Sequence, residues 1–287
     1  MRLLKHKLAL TIALGLVLIS GGGAFVYLGV YNVSALEQHT LPVYRLLQYA
    51  MRRAVAVRND AVVPPLDELD WQGRGLRLYE AHCEQCHGNP GVAPASFSLG
   101  MVPAPTAIQA IGRNRSPGDI YWVIKHGIKM TGMPAWDYRL GEADIWQVVA
   151  YIRHMPTLTV DDYRQLRERA HASTPLPLAH DTTTALPEDR AEQILLGRVA
   201  LQQYNCISCH RIPGVTAGSN HVGPPLGGIT TRAFIAGVLP YSEANLVRWI
   251  RFPQDVDPAT TMPNLGVTQV HAQAMVAYLQ SIDKNGD

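Results

Sequence analysis

Cys83-Glu84-Gln85-Cys86-His87 and Cys206-Ile207-Ser208-Cys209-His210 hold all four cysteines of the 287-residue chain, the second string lying 123 residues after the first. Their surroundings repeat as well. Each follows a stretch that starts at a glycine and runs at helical spacing into the first cysteine, GLRLYEAHC from Gly75 and GRVALQQYNC from Gly197. Downstream come Gly132-Met133-Pro134 and Thr261-Met262-Pro263, 46 and 52 residues from the respective histidine to the methionine. Each copy closes on an amphipathic segment with nearly the same four residues, Val149-Ala150-Tyr151-Ile152 and Val276-Ala277-Tyr278-Leu279. Four features kept in order and spacing mark an internal repeat. The reading is two domains, 67–157 and 187–287, joined by a Pro/Thr-rich linker over 158–186 in which only Asp161 to Ala170 is helix-like. Apolar runs at helical spacing, separated by Gly/Pro loops and with strand signals nearly absent, predict a small all-α unit in each copy. A loop-rich unit of about 100 residues has a thin apolar core, which a large apolar prosthetic group would fill.

The composition, 47% apolar and 17% charged, excludes a disordered or nucleic-acid-tail protein. Four cysteines are too few for a disulfide scaffold. The C-x-x-C-H string is the attachment signature of c-type haem: two thiols on one helical turn can each form a thioether to a haem vinyl group, and the next residue stands beneath the iron. A thioredoxin-like pair would need a βαβ context, structural zinc would need four ligands drawn from two separate copies, and an exported disulfide is the remaining rival. Cys83, Cys86, Cys206 and Cys209 are therefore assigned to two covalent haem c groups, with His87 and His210 as proximal ligands. A thioether sulfur in the sixth position favours ferrous iron and leaves no open coordination site. Met133 and Met262, each before a proline at the matching place in its copy, are the candidates, with Met130 as rival and Met101 behind it. Met51, Met155 and Met275 read as apolar fillers. His82, His126 and His221 read as surface or supporting groups.

Leu8 to Leu36 carries no formal charge, and Leu8 to Val30 is apolar enough for a spanning helix of about 20 residues. Arg2, Lys5 and Lys7 before it favour a cytoplasmic N-terminus, so residues 1–30 read as a membrane anchor with the rest exported. A signal peptide cleaved near Gly22-Gly23-Ala24 is the competing reading. Residues 31–66 then form a juxtamembrane segment whose stretch Leu41 to Asn59 has apolar residues at helical spacing, four arginines and no acid. It suits anionic headgroups, a partner subunit or a plain spacer. From Asn59 onward 18 bases face 22 acids, so the exported part is acidic although the chain as a whole is +2.

On these residues both copies resemble class I c-type cytochromes, and the chain resembles a membrane-anchored dihaem cytochrome c. Gly223-Pro224-Pro225-Leu226-Gly227-Gly228 is similar to the family's Gly-Pro-x-Leu-x-Gly loop, which implies that the Pro224 carbonyl orients His210. Val102-Pro103-Ala104-Pro105 stands in its place in the first copy and assigns that role for His87 to Pro105. The family's crossing of first and last helices implies contacts of Gly75 with Tyr151 and of Gly197 with Tyr278. Asn245 through Pro263 is similar to cytochrome domains fused to oxidase subunit II, and Trp122 through Pro134 to anchored one-haem cytochromes of respiratory chains. The implied architecture is all-α, one N-terminal transmembrane helix followed by two small class I cytochrome c domains. The implied role is an electron-transfer protein, not an enzyme, at the bacterial inner membrane with its haem domains in the periplasm. Its partner would be an integral respiratory complex (oxidase, quinol-oxidising complex or dehydrogenase), with a soluble redox partner possible and no nucleic acid. The rivals are a fixed haem subunit of a larger enzyme, either a cbb3-type oxidase or a periplasmic dehydrogenase, and a dihaem peroxidase.

Overall fold

The computed structural model describes residues 2–172, 185–216 and 222–284. The 173–184 part of the expected linker, and His221, lie outside them. Helix α1, Arg2–Tyr27, contains a 23-residue span, Lys5–Tyr27, of mean hydropathy 2.1 that is not buried inside the protein. By length and composition it can cross a membrane, and a signal sequence has the same character. It ends three residues short of the expected Val30, before Gly29, whose φ of 61° breaks the helix. Helix α2, Leu41–Ala56, starts with Pro42 in its first turn, where the missing N–H is no loss.

The first domain winds through a π-helical turn, Trp71–Gly75, into α3 (Leu76–His82) and α4 (Glu84–His87), then α5 (Ile108–Asn114), α6 (Pro117–His126) and α7 (Glu142–His154). The Asp70 carboxylate accepts from the Gly73 and Arg74 amides, capping the entry turn. Where this segment crosses α7, Gly75 lies so close that a Cβ would overlap the Gln147 carbonyl and sit 3.3 Å from Tyr151 Cβ. Beside the crossing Arg74 donates two hydrogen bonds to buried Asp144, at 2.5 and 2.8 Å. Leu76, Leu78, Tyr79, Ile145, Val148, Val149 and Tyr151 fill the core around it.

The expected linker is corrected at its start. Val160–Ala172 forms α8, and Tyr163, Leu166 and Ala170 are buried in the first domain's core. Three apolar positions on one face of a mostly charged helix suffice to dock it, so this domain extends to residue 172 rather than 157.

The second domain comprises α9 (Arg190–Gln203), a 3-10 turn (Cys206–Ser208), a two-residue hairpin of β1 (Phe234–Ile235) with β2 (Leu239–Pro240), then α10 (Glu243–Arg251), α11 (Pro253–Val256) and α12 (Gln269–Lys284). A Cβ on Gly197 would overlap the Ala274 carbonyl of α12. Gly197 therefore closes on the backbone one turn before Tyr278, as Gly75 closes on Gln147 one turn before Tyr151. The Tyr278 hydroxyl instead reaches the Pro213 carbonyl at 2.7 Å.

Among the described residues the domains meet at a cluster of aromatic side chains and an arginine. Arg139 donates to the Gln203 carbonyl at 3.1 Å and lies over the Tyr204 ring, while the rings of Tyr138 and Tyr204 both face His271, whose Nδ1 is 3.0 Å from the Tyr204 hydroxyl. Burial, and then the Arg139 cation, hold His271 below the ordinary histidine value.

Two outcomes follow from this packing. Alanine at Gly75 or Gly197 should each destabilise its domain by about 1–3 kcal/mol, read from denaturant unfolding of the holoprotein. An unfolded chain takes up the His271 proton near pH 6.5, before the folded one does. The stability that the neutral ring supports is therefore full above that pH and lost as pH falls below it. His271→Gln should flatten the acid-side fall in second-domain melting temperature; an unchanged slope would refute the assignment.

Candidate haem sites

Both C-x-x-C-H strings form a single turn. His87 N donates to the Cys83 carbonyl at 3.0 Å and His210 N to the Cys206 carbonyl at 2.9 Å, which sets both thiols and the imidazole along one side of the chain. Different devices end the helix before each turn. Asn205 adopts the left-handed conformation, φ 58°, that asparagine tolerates, whereas the first domain runs from His82 through Cys83 without one and turns after the motif at Gly88, φ 66°. All four cysteines are free of disulfides. Burial pushes the Cys83 thiol up to about 12 and the Cys206 thiol up to about 11, so as a free thiol neither is a ready thiolate for redox exchange. Among the described residues no three His, Cys, Asp or Glu side chains converge on a metal-sized site.

Each motif imidazole is oriented by a carbonyl. His210 Nδ1 lies 2.7 Å from the Pro224 oxygen, and the loop presenting it is strapped to the motif by Gly223 N to the Cys209 carbonyl and Leu226 N to the Arg211 carbonyl, both 2.9 Å. A Cβ on Gly223 would strike the His210 ring, so only glycine lets the loop lie against it. His87 Nδ1 is 2.9 Å from the carbonyl of Thr106, not of Pro105. This corrects the sequence assignment by one residue. The acceptor is a main-chain oxygen that no side chain identifies, and the loop from His87 is five residues longer than the one from His210, so its register is set by backbone path alone. Burial holds His87 below the ordinary histidine value, toward the neutral form a metal needs.

The structure separates the competing methionines. Met130 is 98% exposed with φ 59°, pointing its side chain into solvent, while Met133 packs against the first core and Met262 against the second. A Cβ on Gly132 would overlap the Met101 methyl group, so Met101 leans on the Met133 loop. Met155 and Met275 are core fillers, at 1% and 0% exposure. His82 tilts against Trp136, and His126 Nδ1 meets the Trp122 carbonyl on its own helix.

Sequence reasoning missed what holds the methionine loops. The Met133 amide donates to Thr131 Oγ1 at 3.0 Å and the Met262 amide to Thr260 Oγ1 at 3.3 Å, the same bond from the same position in both copies. Thr131 Oγ1 in turn donates to the Ile128 carbonyl, and Gln254 donates to the Met262 carbonyl at 2.6 Å. The signal was present as a threonine two residues before each Met-Pro. A third buried feature lies behind the first motif: Asn89 accepts from the Tyr151 hydroxyl at 2.8 Å and donates to Glu84 at 2.5 Å, while Tyr163 of α8 donates to Glu80 at 2.9 Å.

Each domain has two thiols and a carbonyl-oriented imidazole on one turn and a thioether half-buried against the same core, the donor types that a methionine-ligated haem c uses. Residues 72–152 match the family described as cytochrome c oxidase, cbb3-type, subunit III, and residues 195–283 match the cytochrome c family. Cytochrome c oxidase subunit 2 of Alkalihalophilus pseudofirmus is 32% identical over 87 residues, 30% of this chain and 25% of that protein. The subunit of the same name from Bacillus sp. (strain PS3) is 30% identical over 87 residues, 29% of this chain and 24% of that protein. The matched segment thus spans about a quarter of these relatives. A solved chain of the Kuenenia stuttgartiensis reducing HAO-like protein complex is 17% identical with a TM-score of 0.25, over 73% of this chain and 95% of that one, too low a score to bear on the fold. Cytochrome c domains hold haem c covalently.

Met133→Ala should leave the haem attached but abolish the low-spin methionine-ligated absorption of the first domain, while Met130→Ala leaves it intact. Thr131→Val, which removes the hydroxyl but not the bulk, should make that ligand displaceable by added imidazole at lower concentration. Identical spectra for Met133→Ala and the parent would rule out the ligand set.

Proposed function

We propose that this chain, which belongs to the c-type cytochromes and carries two cytochrome c domains, is a membrane-anchored dihaem relay. It passes single electrons on the periplasmic side of a bacterial respiratory chain, to or within a terminal oxidase complex. The observation that carries the relay over a catalytic reading is the likeness of the two methionine loops. Thr131 and Thr260 pin the amides of Met133 and Met262 in the same way, and both side chains pack on their cores. A dihaem peroxidase would need one of these ligands to be absent or easily displaced.

When bound, each haem supplies a one-electron iron couple. The chain does the rest. Cys83, Cys86, Cys206 and Cys209 would retain the groups through every cycle, and His87 and His210, oriented by Thr106 and Pro224, would present Nε2 to the iron. Met133 and Met262 would close the sixth position and favour the reduced state. The contact at Tyr138, Arg139, Tyr204 and His271 supports transfer between domains. It joins the loop five residues beyond Met133 to the helix end two residues before Cys206, so a ligand loop of one site abuts the attachment turn of the other.

Similarity to an oxidase subunit over residues 72–152 and to oxidase subunit 2 proteins supports an oxidase as the partner. Arg2, Lys5 and Lys7 ahead of the uncharged run from Leu8 support a cytoplasmic N-terminus and exported domains. The acidic balance from Asn59 onward, increased by ionised haem propionates, suits a basic docking surface on the partner.

Gentle detergent extraction followed by identification of what co-purifies with the haem-stained band should return oxidase subunits. Turnover of that partner should slow as ionic strength rises through the physiological range. Peroxide consumption by the purified chain at catalytic rates would overturn the relay reading, and turnover indifferent to salt would overturn the charged docking surface.

A further inference from the structure

We propose that α2 is an in-plane membrane helix: its Leu46/Leu47 face rests in the headgroup layer of a bilayer containing anionic lipid, and so fixes how the first domain stands on the membrane. This rests on the reading of α1 as an anchor. Helix α2 has three sides with different fates. One is taken by the protein: Val55 is buried at 6% exposure, Gln48 and Met51 are half-buried, and just beyond the helix Asn59 donates to Asp119 at 2.9 Å at the start of α6. A Cβ on Gly118 would press on the Asn59 side chain, so this joint is close-packed and couples the helix to the domain.

A second side is apolar and mostly exposed, with Val43 and Ala54 half-buried along its middle. Leu46 is 67% exposed, Leu47 51% and Val57 63%, and helical periodicity places Val43 and Ala50 on the same face. The third side carries Arg45 and Arg52, while Arg53 and Arg58 flank the apolar face at its edges, where long side chains reach phosphates with their stems in the apolar layer. No acid occurs between Leu41 and Arg58, and among the described residues none of the four arginines pairs with a carboxylate.

Like charge along the whole helix suits a surface that is negative everywhere and demands no register, which anionic headgroups provide and a single protein groove does not. The tether enforces proximity. Residues 28–40 link α1 to α2 and reach at most ~45 Å fully extended, so α2 stays within reach of the bilayer that α1 would cross. An amphipathic basic helix with an exposed apolar stripe binds such an interface by combining apolar burial with charge attraction.

The test uses the full-length, reduced holoprotein in lipid nanodiscs, either phosphatidylcholine alone or an equal mixture with phosphatidylglycerol. A single nitroxide is placed at Ala50→Cys on the apolar face or at Ala56→Cys away from it, the native thiols being consumed by thioethers. In the mixed discs the Ala50→Cys label should become severalfold less accessible to a water-soluble relaxation agent and more accessible to oxygen, while the Ala56→Cys label stays open to water. Removing the anionic lipid should reduce that contrast. Equal water accessibility at both positions in both discs would overturn the proposal. So would shielding of the Ala50→Cys label from both agents, the signature of a protein covering the face. A chain that does not enter discs at all refutes the anchor reading of α1 instead. Flotation of that chain with phosphatidylglycerol vesicles then reads α2 alone, retention supporting the proposal and its absence overturning it.

Discussion

In both domains the backbone of the helical segment leading to the C-x-x-C-H turn touches that of a later helix, α7 or α12, at a glycine, and the rest of the site is arranged from that contact. Gly75 lies against the Gln147 carbonyl and Gly197 against the Ala274 carbonyl, with no space for a methyl group. The attachment turn begins eight residues after Gly75 and nine after Gly197, so the crossing fixes where the thiols and the proximal imidazole stand. It also positions the closing helix, from which Tyr151 and Tyr278 reach back to Asn89 and to the Pro213 carbonyl, in the loop just after each histidine. A side chain at either glycine would push the helices apart and move both ends of the site at once.

Around this common frame the two copies solve the remaining problems differently. The second holds its histidine with a short glycine-proline loop, braced by Arg232 on the Pro225 carbonyl and by Asp283 capping the following turn. The first uses a longer loop and the Thr106 carbonyl, and backs its motif with a buried polar network that reaches α8. Arg167 and His171 both pair with Glu80 in that network, so α8 braces the helix that carries Cys83 rather than serving as linker. Such a network is stabilising only when its members are satisfied, and here Asn89, Glu84, Tyr163 and Glu80 each find partners. The junction at His271 then joins the copies through aromatic rings and one arginine, a small contact whose strength depends on the imidazole staying neutral.

Much of this was legible because haem attachment is a local chemical requirement. Two thiols and an imidazole must share one turn, so their spacing is visible in five residues, and a repeated string with repeated flanks identifies repeated domains. The helix-crossing glycines were implied by the family resemblance, which paired them with Tyr151 and Tyr278, whereas the tightest contacts are with the Gln147 and Ala274 backbone one turn earlier. The carbonyl that orients His87 was not legible, because every residue has one. Met133 was preferred to Met130 because, like Met262, it precedes a proline at the matching place in its copy; the structure adds left-handed backbone at a solvent-exposed Met130 and half-burial of Met133 against the core. The helix over 160–172 was visible, but its charge concealed that three apolar positions dock it.

By itself the sequence determined the number of domains, the two C-x-x-C-H strings, the helical class and the apolar N-terminal span, all of which depend on the identity and spacing of neighbouring residues. Tertiary structure alone decided which carbonyl holds His87, which methionine faces inward in the first domain, that α8 belongs to that domain, and that the domains touch through Tyr138, Arg139, Tyr204 and His271. Those outcomes depend on where the backbone passes and on which surfaces exclude water, and residues far apart in the chain set them jointly.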